Sequence, residues 1–116
     1  MIKETDRILH LSLKKQPFEV MVKGEKKEEY RKDTKWIRSR LFDKQGFWRD
    51  YDYVKFVNGY GSDKPYFIVS FLGAKQNKNI SKESIHFSNG LRVDIENSDF
   101  IISTGNIIEI GNIIQI

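Results

Sequence analysis

The 116-residue chain contains no cysteine, only two prolines and only two histidines. Without thiols, a disulfide framework, a zinc–thiolate centre and a cysteine nucleophile are all excluded. With His10 and His86 as the only imidazoles, no metal site is expected, and no cluster of residues calls for a cofactor. No apolar run approaches the length needed to cross a bilayer. The opening residues Met1-Ile2-Lys3-Glu4-Thr5-Asp6 lack the apolar segment of a secretory signal. The expectation is a cytoplasmic protein with no membrane partner. Net charge is also scarce: 20 Lys and Arg against 16 Asp and Glu leave +4. That balance permits a polyanionic partner without requiring one.

What is present is enough apolar material for a core. Hydrophobic residues make up 39% of the chain and aromatics 13%, which favours one folded domain over residues 1–116. Ile8–Leu13 alternates, with Leu9, Leu11 and Leu13 on one face and His10 and Ser12 on the other. This is a half-buried strand, with His10 an outward residue of no chemical role. Residues 16–23 read as a short helix, with Pro17 in its first turn and Gly24 as its stop. Phe18, Met21 and Val22 share one face of it. Asp33 or Thr34 caps a second helix reaching about Phe42, with Ile37 and Leu41 as its apolar stripe. Trp36 and Arg40 are i, i+4 neighbours on that helix, either a surface cation–π pair or a platform for a base.

Residues 43–52 have no steady period and read as a loop carrying Phe47, Trp48 and Tyr51. Residues 53–60 read as a strand whose Val54, Phe56, Asn58 and Tyr60 point inward, the last two either as internal hydrogen-bonders or as pocket-lining polar groups. Residues 66–72 are apolar on both faces and so central, while 73–83 read as a polar surface loop. Ser88-Asn89-Gly90 signals a hairpin. A two-residue Asn-Gly turn would misalign Ile85 and Phe87 with their partners, so a bulge, a longer loop or two-sided packing is expected. Segments 100–103 and 107–110 are β-rich. The C-terminus repeats itself, Gly105-Asn106-Ile107-Ile108-Glu109-Ile110 followed by Gly111-Asn112-Ile113-Ile114-Gln115-Ile116. One copy is expected to close the sheet and the second to be paired or covered, internally or in a weak homodimer of an otherwise monomeric protein.

One stretch has the spacing of a site: Gly24-Glu25-Lys26-Lys27-Glu28-Glu29-Tyr30-Arg31. In a strand beginning near Lys27, Glu29 and Arg31 share a face and Tyr30 takes the other. Lys26 has the wrong parity to join them unless it still lies in a turn after Gly24. If it does, an ammonium, a carboxylate and a guanidinium meet, a set suited to holding a phosphate and reading a base. Lys14, at the end of the first strand, would add charge. The plain alternative is a Glu29–Arg31 pair tying down the rim of the sheet, with Lys26 exposed.

The pattern G-x-K-x-x-E-x-R, carried by Gly24, Lys26, Glu29 and Arg31, resembles the signature of the ASCH superfamily. The lead-in Leu11-Ser12-Leu13-Lys14 with Phe18, Met21 and Val22 fits that likeness. Phe56-Val57-Asn58-Gly59-Tyr60 is similar to a strand of the superfamily's bacterial and phage branch. The resemblance covers the first half of the chain well and the second half loosely. It implies an α+β, PUA-like mixed β-barrel with two short helices packed at its side. It also implies binding of RNA, a nucleotide or a modified nucleoside by Lys14, Lys26, Glu29, Arg31, Trp36, Arg40, Asn58 and Tyr60. Some members of the superfamily cleave RNA or deacylate acetylcytidine, which would make Lys26 and Glu29 catalytic if the chain is an enzyme. The deacylating branch has a threonine nucleophile where this chain has Glu29, so ribonuclease chemistry is the better match of the two.

Overall fold

The computed structural model describes residues 2–78 and 82–113. Its first strand, β1 (Ile8–Leu13), shows the alternation of the sequence directly: Leu9, Leu11 and Leu13 are buried and His10 is exposed. There follow α1 (Lys15–Val22), β2 (Glu28–Arg31), α2 (Lys35–Leu41), β3 (Tyr53–Asn58), β4 (Tyr66–Gln76), β5 (Glu83–His86), β6 (Arg92–Ile95) and β7 (Phe100–Gly111). Thr34 caps α2, its side chain accepting from the Ile37 N–H at 3.2 Å.

Five strands form one mixed sheet in the order β1-β3-β4-β7-β2. The β1–β3 pair is parallel and the other three are antiparallel. The two long strands make the sheet bend. Register shifts between Ile68 and Gly73 interrupt the β4–β7 ladder, and each such irregularity increases local twist. The first part of β4 pairs with β3 and with the distal half of β7. Its last residues, Gly73–Gln76, pair with Ser103–Phe100, which carry β2 on their other side. The result is a curled half-barrel whose free edges, β1 and β2, come close without pairing.

The core lies between this sheet and the two helices. Phe18 and Met21 of α1 and Ile37 and Leu41 of α2 pack with Leu11, Val54, Phe56, Phe67, Phe100 and Ile102. Phe67 is the centre of an aromatic group, with Phe56 stacked at 5.2 Å and Phe18 edge-on at 5.1 Å. Val20, which the helical stripe of the sequence omits, is also buried, at 1% exposure.

Several sequence expectations need correction here. The strand from Tyr53 stops at Asn58, so Tyr60 lies in the following loop. The polar stretch after residue 72 is not all loop, because Gly73–Gln76 continues β4. Segments 100–103 and 107–110 are one strand. The expected mixed β-barrel is present in its coarse form, as a curled half-barrel of five strands with a separate β5–β6 hairpin. That hairpin turns through three residues, Ser88-Asn89-Gly90, with the Phe87 N–H donating to the Leu91 carbonyl and Gly90 at φ 86°. This is a three-residue hairpin loop with a left-handed third residue; it sets Ile85 opposite Val93 and removes the misalignment of a two-residue turn. The first copy of the C-terminal repeat belongs to β7, and most of the second lies outside the described residues.

Candidate functional site

The site begins where α1 ends. The Gly24 N–H donates to the Met21 carbonyl and the Glu25 N–H to the Val20 carbonyl, each at 3.0 Å, while Gly24 has φ 81°. This crossed pair of bonds is a Schellman cap, and it requires a left-handed residue that glycine supplies without strain. The Val20 carbonyl also accepts from the Lys26 N–H at 3.1 Å. Lys26 is therefore still within the turn, before β2 begins at Glu28, as its parity demands.

The turn sends the Lys26 side chain inward, to 4% exposure. Its Nζ donates to Glu29 Oε1 at 2.9 Å, to the Glu28 carbonyl at 2.5 Å and, more weakly, to Met21 Sδ at 3.6 Å. Three protons thus have three acceptors, and the Tyr30 ring lies 5.2 Å from the ammonium. The other oxygen of Glu29 accepts from Arg31 Nε at 2.9 Å. Arg31 Nη2 makes a second contact with it at 2.9 Å. The same Nη2 donates to the Ser12 carbonyl of β1 at 2.6 Å. One charged chain, Lys26–Glu29–Arg31, therefore runs from the helix cap through β2 and across the open seam to β1. The exposed Lys26 of the plain alternative is overturned, whereas its Glu29–Arg31 pair is present. Glu28 accepts from the Tyr30 hydroxyl at 2.9 Å. Burial first, then that bond, pushes the Tyr30 phenol well above its ordinary range.

Two adjoining hollows open along the seam, of about 550 Å³ and 690 Å³, each within the size of small-ligand sites. Both are lined by Ser12, Arg31, Gly59 and Tyr60. The first adds His10 and Trp36. The second adds Lys14, Lys26, Glu29 and Asn58, together with Leu91 and Val93 of the hairpin. The hairpin is held there by its loop: Asn89 Nδ2 donates to the Gln16 carbonyl at 2.9 Å, and Ser88 donates from its N–H and hydroxyl to the Glu25 carboxylate.

Six of the eight residues singled out from sequence, Lys14, Lys26, Glu29, Arg31, Asn58 and Tyr60, line the second hollow, and Trp36 lines the first. Arg40 lines neither, but its guanidinium lies 5.2 Å from the centre of the Trp36 ring. Tyr60 departs from expectation: it is not inward but 85% exposed, because the chain leaves the sheet at Gly59 and carries the ring to the rim. Trp48 is not at the seam; it packs on Phe42 at 4.3 Å and Phe100 at 6.1 Å, pinning the loop to the core. Among the described residues, no three His, Asp or Glu side chains converge as metal ligands would. No helix among them is long and apolar enough to cross a membrane.

His10 is the residue that sequence reasoning missed. Partial burial, with Lys55 and Arg40 nearby, lowers its pKa from the ordinary value. Its signal was there in the alternation, which places it on the same face as Ser12, the residue Arg31 reaches. The pattern did not show that α2 and the Gly59–Tyr60 loop rise beside that face. No protein-family model, curated protein or solved structure matches the chain.

Proposed function

We propose that the chain is a PUA-like domain of ASCH type that binds RNA, a nucleotide or a modified nucleoside in the hollows along its seam. The observation that carries the reading is the state of Arg31. Glu29 and Ser12 fix its guanidinium, yet Nη1 has no partner among the described residues, and the side chain lines both hollows. A guanidinium already held in place loses little freedom when it takes a phosphate. Around it stand the exposed rings of Trp36 and Tyr60, which suit base stacking. Lys14, exposed and in no ion pair among the described residues, can take a second phosphate.

The same geometry argues for holding rather than catalysis. A general base needs a free lone pair and a nucleophile needs access. The Lys26 protons are all engaged, and both Glu29 oxygens accept from neighbours. The enzyme alternative, with Lys26 and Glu29 as catalytic groups, would have to dismantle this arrangement first.

Fluorescence anisotropy with labelled single-stranded RNA in chelator tests the proposal, with a gel run in parallel. Retention of intact RNA is expected, with log K falling against log salt at a slope of about −1.4 for two phosphate contacts on a single strand. Lys14→Ala should reduce that slope by about half. Absence of retention, or retention indifferent to salt, contradicts the RNA reading and leaves only a free nucleotide or nucleoside as ligand, and cleavage in chelator supports the ribonuclease alternative.

A further inference from the structure

The two hollows are not independent cavities. Their common wall is Arg31 together with Ser12, Gly59 and Tyr60, so a guanidinium stands at the boundary between them. Each side offers surroundings for a ring. The first has the indole of Trp36, backed by Arg40, and the imidazole of His10. The second has the amide of Asn58 and the apolar side chains of Leu91 and Val93, with Lys14 at its edge. Two ring-accepting hollows joined at a cation repeat the order of a nucleotide chain, base–phosphate–base. Resting on the reading above, we infer that the ligand is single-stranded and spans at least two consecutive nucleotides, with its internucleotide phosphodiester on Arg31 and one base in each hollow. A mononucleotide would fill only one hollow. A duplex keeps its bases stacked and paired, so neither could enter.

Competition against a labelled tetranucleotide tests the inference, using unlabelled nucleoside monophosphates, nucleoside 3′,5′-bisphosphates and dinucleoside monophosphates as competitors. The dinucleoside monophosphate carries less charge than either mononucleotide competitor. It should nevertheless compete on the order of tenfold better, the gain expected from stacking one further base. A third nucleotide should add much less. Trp36→Ala, at an exposed position on α2, should bring the dinucleotide down to the level of the mononucleotide, with an unchanged circular dichroism spectrum. Mononucleotides competing as well as the dinucleotide overturn the inference while leaving nucleotide binding intact. So does a steady gain with every added nucleotide that Trp36→Ala does not alter, since that is charge alone. A tetranucleotide that never binds overturns both the inference and the RNA reading on which it rests.

Discussion

Glu29 joins two cations, and its removal exposes what each was for. Its side chain is 8% exposed and that of Lys26 only 2%. Glu29→Gln keeps the shape but leaves a buried ammonium without its counter-charge. Breaking a buried pair from one side costs about 3–5 kcal/mol, so urea unfolding should show a loss of at least about 3 kcal/mol. Adding Lys26→Met should restore part of it, because the two residues are coupled. His10 gives a second prediction at this scale. Its folded pKa lies below the ordinary 6.5, so the unfolded chain takes up the proton first and stability falls as pH drops through that value. His10→Gln should flatten the thermal midpoint between pH 7.5 and 5.5. The lowered carboxylates of Glu25, Asp33, Asp94 and Glu96 act in the same direction but only at more acidic pH, where they protonate. Parity along β2 made the Glu29–Arg31 face legible in advance. The burial of Lys26 was not legible from β2 alone, since it depends on the end of α1, where the Val20 carbonyl holds the Lys26 N–H and Met21 Sδ meets its ammonium.

At the scale of elements, the α1 cap is the part on which the site turns. Gly24 has open space around a would-be Cβ, so a substitution there is opposed by backbone conformation and not by crowding. Gly24→Ala should destabilise by about 1 kcal/mol. It should also weaken RNA retention, because the Lys26 turn is built on that residue, and Gly24→Asn should fall between the two. Thermal unfolding and anisotropy on the same samples check both effects. The cap, the first strand and the hairpin turn could be read from sequence because each has a local chemical cause: a glycine stop, an alternation, an Asn-Gly pair. The extension of β4 through Gly73–Gln76 could not. Its residues, Gly73, Ala74, Lys75 and Gln76, form no apolar alternation and pair with Phe100–Ser103 some 27 positions away, and nothing local announces such a partner.

The whole molecule is an open sheet whose edges meet at a side chain. A strand edge normally exposes unpaired N–H and C=O groups that must be covered or blunted. Here Arg31 reaches from the edge strand β2 to a carbonyl of the edge strand β1, and the hollows lie along the gap that remains. The residue patterns signalled two helices among strands, and the resemblance implied a mixed β-barrel with the helices at its side, of which the coarse form, a curled half-barrel, is present. That the sheet stays open could not be foreseen, because the bend comes from register shifts inside β4 and β7 rather than from any residue pattern. The claim that this gap is the ligand site is tested most directly by titrating a short single-stranded RNA into isotopically labelled protein and following side-chain resonances by NMR. The account predicts that the Arg31 Nε–H, the Trp36 indole N–H and the Asn58 amide shift together along one binding curve while the Trp48 indole stays still. Shifts scattered over the surface lysines, with Arg31 and Trp36 unmoved, would contradict it.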